Sequence, residues 1–264
     1  MRHEALGPVR LVDGNTSREV NSEKTENLLT SLLVSNGRSL TTDQLIQEMW
    51  GKRPPSQSRA GLHVYVSQLR KLLSDFDCTS VIETVTQGYR LVLGTDQFDY
   101  FEVAQSARAA RAALVERDIE HAARLSDAGL GVWRGTMRDA ETGPIMEGFH
   151  AAAEELRLEL SEINMSARLI MGGDQRLLDS LYVLVAEHPL REGFHSYLML
   201  ALHSRGRQAE ALVAYQRVCQ LLDQELGVPP GPELRRTHAA ILAAEGDDIQ
   251  PPVLHELCEG KAIV

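Results

Sequence analysis

The spacing of apolar residues changes along the chain, and each change predicts an element. Leu6, Val9, Leu11 and Val12 form a short strand-like run that stops at Asp13-Gly14, a tight-turn pair. From Ser22 or Glu23 the period becomes helical. Leu28, Leu29, Leu32 and Leu33 recur at intervals of three and four, and Asn36-Gly37 ends the run. Thr41 with Gln44 three residues later is a capping box; it opens a second helix through Leu45, Ile46, Met49 and Trp50 that stops at Gly51. Pro54-Pro55-Ser56 then breaks the chain and caps a third helix, in which Leu62, Val66, Leu69 and Leu73 share one face. Val81-Ile82 and Tyr89 to Leu93 read as two strands around Gly88, which permits a positive φ at the turn. A strand, three helices and a hairpin in this order predict a winged helix-turn-helix over residues 1–95.

From Phe98 onward the pattern is helical almost throughout. Breakers at Gly135, Gly143-Pro144, Gly172-Gly173, Pro189, Gly206 and Gly227 to Pro232 divide it into paired helices of two to five turns. Within one pair, Gly206, Ala211 and Tyr215 have the spacing of a tetratricopeptide unit. There, small residues let two antiparallel helices approach and an aromatic packs between them. Asp118 and Ala122 repeat the pattern more faintly. The fold class is therefore mainly α: a winged helix with small sheets, then an all-α helical domain over residues 96–245. Residues 246–264, with Pro251-Pro252, lack periodicity and read as a loose tail.

Charge refines this division. The chain of 264 residues carries a net charge of -10, which by itself argues against a general polyanion binder. Met1 to Thr95, however, holds 11 basic and 10 acidic residues, whereas Asp96 to Val264 holds 16 and 27. From Met49 to Ser74 there are five Lys or Arg residues and no Asp or Glu, and this stretch covers the third helix and its approach. With the leucine face turned inward, a helical wheel turns His63, Ser67, Gln68 and Lys71 outward, with Arg59 and Arg70 flanking the seam. A helix fits the DNA major groove, where Arg pairs with guanine and Gln with adenine. In the hairpin string Thr86-Gln87-Gly88-Tyr89-Arg90, Arg90 is placed to reach phosphate or a narrow minor groove, and Tyr89 to pack in the core.

Two stretches, RPPSQSRAGLHVYVSQLRKLL followed by IETVTQGYRL, resemble the DNA-binding domain of the Streptomyces antibiotic regulatory protein family, a winged helix of the OmpR type. FDYFE, LGVWRG, the segment from Ala186 to Val218 and LGVPPGPELRRTHAAIL resemble the same family's bacterial transcriptional activation domain of tetratricopeptide-like helices. The resemblance runs from Met1 to about Glu245. It implies a transcriptional activator that binds direct repeats in promoters of secondary-metabolite (antibiotic) gene clusters as a homodimer. Such a protein recruits RNA polymerase holoenzyme by touching the sigma factor. It also implies that Arg59, His63, Ser67, Arg70 and Lys71 face DNA from the recognition helix and Arg90 from the wing. The sequence departs from the family at Gln68, where Arg is frequent, and at Ala60-Gly61, where polar residues are common. No cofactor is expected: the four lysines never complete GxxxxGK[ST], so the nucleotide-binding module of larger family members is not expected here.

Other chemistries find less support. Cys78, Cys219 and Cys258 form no zinc spacing and suit a reducing cytoplasm, and no apolar run is long enough for a membrane span. GxSxG and HExxH are absent, so an enzyme is not expected. A repeated tetrapeptide, Glu147 to His150 and Glu192 to His195, has half the pattern of a di-iron site, with Glu155 and Glu187 as candidate further ligands. Each copy places Gly inside a helix at a cost in helix propensity, and packing suffices to explain the second, so no metal site is expected. A tetratricopeptide-type adaptor or ligand sensor remains the reading from a different class.

Overall fold

The structure, a computed structural model, describes residues 1–76, 78–137 and 143–243, so the expected tail lies outside the described residues. Its described part forms two compact units. The first comprises Met1–Gln105 and Gly129–Arg157, the second Ser106–Ala128 and the chain from Leu158 onward.

The first unit opens with a sheet. Strands β1 (Arg2–Glu4), β2 (Arg10–Asp13) and β3 (Thr16–Glu19) are antiparallel, and β7 (Gln97–Phe98) pairs parallel to β1, giving the order β3-β2-β1-β7. The single strand expected from Leu6 to Val12 is corrected to this hairpin and its partners, with Leu6 outside any strand. The apolar pattern missed β1 and β3 for physical reasons: β3 is exposed along its whole length, and β1 buries His3 and Glu4 rather than apolar side chains.

Helices α1 (Glu23–Val34), α2 (Thr42–Trp50) and α3 (Ser58–Ser74) follow, with the short strand β4 (Leu40–Thr41) before α2. The Thr41–Gln44 capping box forms as expected, and Gly51 closes α2. Ser56 does not cap α3; its N-cap is Gln57, with no side-chain hydrogen bond. Leu28, Leu32, Leu45, Met49, Leu62 and Leu69 are fully buried and make the core on which the three helices close. Strands β5 (Val81–Val85) and β6 (Gly88–Val92) form the hairpin, and β4 adds to the outer side of β6.

The residues from Gly129 to Arg157 complete this unit. Arg134 donates from Nη1 to the Pro8 carbonyl (2.8 Å), and its Nε lies 3.1 Å from the Glu4 carboxylate, an ion-pair contact rather than an aligned hydrogen bond. Glu4 is also paired with Arg2 (2.9 Å) and Arg10 (2.5 Å). Asp99, fully buried, accepts the N–H groups of Ala5, Leu6 and Tyr100, and burial raises its pKa despite them. The buried Glu48 of α2 accepts the N–H groups of Ile145 (3.0 Å) and Met146 (3.1 Å), capping the first turn of α6 (Pro144–Ile170), where a carboxylate suits the helix dipole.

His3 gives the first unit an acid weakness. Its ring is fully buried, with Nε2 2.8 Å from Ser80 Oγ, and desolvation lowers its pKa from 6.5 to about 4. Asp96 opposes this shift and the N-terminal ammonium adds to it. Because the folded state holds the proton less tightly than the unfolded chain, His3 costs nothing above pH 6.5. Stability falls as pH drops from 6.5 towards 4, where the loss levels off. From pH 6.5 to 5 the loss due to His3 is roughly 2 kcal/mol. Urea unfolding of wild type and His3→Gln across this range checks it: the variant's curve is flatter.

The second unit is helical. Helices α4 (Asp99–Val115) and α6 contribute residues to both units, and α5 (Ile119–Leu130), α7 (Gln175–Glu187), α8 (Glu192–His203), α9 (Gln208–Leu226) and α10 (Pro232–Leu242) follow the predicted breakers. Helix α6 corrects the expected two to five turns: it runs for 27 residues because no breaker interrupts it after Gly148. Apolar on nearly every side, α8 is buried from Phe194 to Leu202 and packs against α7, α9 and α10. Ala211 is fully buried, which lets α9 approach α8. Tyr215 stacks on His238 of α10, with ring centroids 3.7 Å apart. Among the described residues no helix is long and apolar enough to cross a membrane.

Candidate nucleic-acid interface

The recognition candidate is the outer face of α3. Its buried positions are the expected Leu62, Val66, Leu69 and Leu73, so Ala60, His63, Val64, Ser67, Gln68 and Lys71 form one exposed stripe at helical spacing. The side chains of Ser67, Gln68 and Lys71 have no partner among the described residues and are free to meet a ligand. Val64, 54% exposed in the middle of the stripe, is not among the residues that the sequence pattern pointed to. The wheel that placed Ser67 and Gln68 outward also places Val64 there; its apolar character hid it. An isopropyl group at that place suits a thymine methyl.

Four other sequence candidates are already engaged. Arg70 turns back onto the hairpin: Nε and Nη2 donate to the Ile82 carbonyl (3.0 and 2.7 Å), and Nη2 also reaches Thr84 Oγ1 (2.9 Å). Arg59, though exposed, pairs with Asp43 of α2 at 2.8 Å, and Arg90 pairs with Glu83 across the hairpin at 2.6 Å. These are surface pairs of small worth, so a phosphate can compete for either arginine. His63 is held at Nδ1 by the Tyr89 hydroxyl, 2.7 Å away. Thr86 is exposed at the hairpin turn, and the neighbouring Gln87 carbonyl accepts the Thr42 N–H (2.9 Å), which ties the turn to the start of α2. Between these elements lies a polar groove of about 530 Å³ lined by Thr41, Thr42, Arg59, His63 and Thr86.

Two glycines explain themselves here. Gly88 does not supply a positive φ at the turn; it lies within β6 opposite Thr41. A Cβ there would fall on the Leu40 carbonyl oxygen and 2.8 Å from Thr41 Cα, so β4 can join the sheet only against glycine. Gly88→Ala is expected to cost about 2 kcal/mol as the strands part, measured by urea unfolding. Gly61, one of the departures from the family pattern, lies against the Trp50 ring, which a Cβ would meet at 3.3 Å. The end of α2 thus packs closely on the start of α3, and Trp50 also packs edge-on against Tyr65 (6.0 Å).

The repeated tetrapeptide is packing. Phe149 and Phe194 are buried, His195 Nε2 donates to the Pro189 carbonyl (2.8 Å), and Glu192 accepts the Gly231 N–H (2.7 Å). Among the described residues no group of three or more His, Cys, Asp or Glu could hold a metal.

Comparisons with known proteins agree with this architecture. A family model described as "Transcriptional regulatory protein, C terminal" matches residues 18–91, and one described as "Bacterial transcriptional activator domain" matches residues 98–242. The chain is 37% identical over 256 residues to the regulatory protein AfsR of Streptomyces griseus, covering 95% of this chain and 25% of that protein. It is 35% identical over 254 residues to the transcriptional regulator RedD of Streptomyces coelicolor, covering 94% and 71%. The solved structure of Mycobacterium tuberculosis EmbR in complex with a low affinity phosphopeptide has a TM-score of 0.84 at 30% identity, covering 98% of this chain and 68% of that one. The chain thus spans a quarter of the length of AfsR.

Proposed function

The chain belongs to the Streptomyces antibiotic regulatory protein family of transcriptional regulators, and we propose that it is a site-specific activator whose α3 reads promoter DNA. One observation carries the reading: a stripe of Val64, Ser67, Gln68 and Lys71, without partners among the described residues, on the exposed face of a buried-sided helix in a helix-turn-helix. Gln68 offers the amide pair that adenine accepts, Val64 a methyl contact, and Lys71 a phosphate anchor. Among the described residues few unpaired cations surround them, so a single copy binds weakly. Two copies on direct repeats about one helical turn apart compensate through effective concentration. Residues 1–95 carry the DNA-reading task. The acidic residues 96–245 are suited to protein partners, namely a second copy and RNA polymerase holoenzyme through its sigma factor. The controlled genes are those of a secondary-metabolite cluster.

Selection of binding sites from random duplexes, followed by footprinting on promoters beside the gene, tests the first step. Tandem protected repeats are expected, and absence of any selected sequence overturns the reading. In transcription with purified polymerase, an activator raises transcript; a fall in transcript would make the protein a repressor.

A further inference from the structure

His63 is exposed on the recognition helix, but a buried group of the hairpin holds its ring. Its Nδ1 lies 2.7 Å from the hydroxyl of Tyr89, and the two rings meet edge-on at 6.3 Å. Tyr89 is only 5% exposed, and its hydroxyl has no other partner among the described residues. A phenol is the better donor and an imidazole nitrogen the better acceptor, so in this pair the hydroxyl donates and Nδ1 accepts. A neutral imidazole carries one N–H, which this arrangement assigns to Nε2. That atom has no partner among the described residues, and the ring lines the polar groove beside Thr41, Thr42, Arg59 and Thr86. Meanwhile Arg70, seated 5.8 Å over the Tyr89 ring, already ties α3 to the hairpin through Ile82 and Thr84. Attachment of the hairpin therefore does not depend on the Tyr89 hydroxyl.

We propose that Tyr89 is a positioning residue: its hydroxyl fixes His63 in the tautomer that donates from Nε2 to a backbone phosphate oxygen of bound DNA. The inference rests on the DNA-binding reading above and adds to it a contact in which a buried phenol sets the proton on an exposed ring. A phosphate is the fitting acceptor because Nε2 stands among the hydroxyls of Thr41, Thr42 and Thr86 and the exposed Arg59–Asp43 pair, with only Val85 and Tyr89 as apolar lining of the groove.

The test is a thermodynamic cycle on the full chain, read by fluorescence anisotropy with mixed-sequence duplex DNA at low salt. Tyr89→Phe and His63→Ala are each expected to weaken binding about fivefold, the loss of one hydrogen bond. The double variant is no weaker than either single one. His63→Gln, whose amide donates without help from the phenol, retains most of the affinity and is indifferent to Tyr89→Phe. His63 is exposed, so its two variants report on the contact even if Tyr89→Phe melts early. Wild-type binding by Tyr89→Phe, or an undiminished Tyr89→Phe penalty in the His63→Ala background, overturns the positioning role. A penalty confined to a selected site and missing on mixed-sequence DNA moves the acceptor to a base and overturns the phosphate assignment. Lys71→Ala separates the two levels. If it weakens binding while Tyr89→Phe does not, only the positioning role falls; if no chain binds DNA, both fall.

Discussion

Arg134→Ala is expected to lower the stability of the chain by about 3 kcal/mol and its melting temperature by roughly 10 °C. The reason is burial on the acid side. Glu4 and Asp99 have side chains 5% and 0% exposed, and the Arg134 guanidinium lies 3.1 Å from one and 4.0 Å from the other. Removing it leaves Glu4 with Arg2 and Arg10, but leaves Asp99 with backbone N–H groups alone and the Pro8 carbonyl without its donor. Asp99 already has a raised pKa through burial, so losing the Arg134 cation beside it adds to an existing cost. Arg134→Lys keeps the charge but not the planar fork, and should recover part of the loss. Arg124 provides the contrast: its pair with Glu120 is 3.8 Å long and well exposed, and Arg124→Ala should change stability by less than about 0.5 kcal/mol. Urea unfolding of the three variants beside wild type measures all of this. Equal losses for Arg134→Ala and Arg124→Ala would show that the buried network contributes nothing special.

The same network marks the limit of what the sequence could show. The helix-turn-helix was legible because its signals are local: Thr41 and Gln44 cap, Gly51 stops, and four apolar residues fix the face of α3. The breakers of the second unit were legible for the same reason, from Gly172-Gly173 to Gly231-Pro232. Missed were elements whose cause lies far away in the chain. Strand β1 buries His3 and Glu4, which satisfy no apolar template, because their partners are Ser80 and three arginines. Nothing periodic announces that Glu48 caps a helix beginning at Pro144, or that residues 129–157 pack with the first unit. At the interface, a wheel can say which way a side chain leaves the helix but not what it meets. It placed Ser67, Gln68 and Lys71 correctly in the open, whereas Arg70, at the edge of the same wheel, is bound by a carbonyl of β5. Gly88 carried a true signal with the wrong cause, since an approaching strand requires it and not a turn.

The free stripe on α3 leads to the largest expected effect on binding. Gln68→Ala combined with Lys71→Ala should weaken binding to a selected duplex by about a hundredfold, or roughly 3 kcal/mol. The two halves differ in kind. Gln68 can pair both amide groups with one adenine, so Gln68→Ala should relax preference at one base pair and leave the salt dependence unchanged. Lys71 recognises charge, so Lys71→Ala should weaken all duplexes alike and flatten the log–log salt slope by about 0.9. Binding isotherms at several salt concentrations, on the selected site and on a variant changed at one base pair, separate the two. Arg70→Ala belongs to neither class. Its guanidinium is spent on Ile82 and Thr84, so its loss should appear first as lower stability and only through that as weaker binding. The net charge of -10 makes the contrast sharper. In an acidic protein with most of its α3-side arginines paired, each unpaired cation at the interface carries a large share of the phosphate attraction. An unchanged salt slope in Lys71→Ala would therefore remove α3 from the DNA-facing surface.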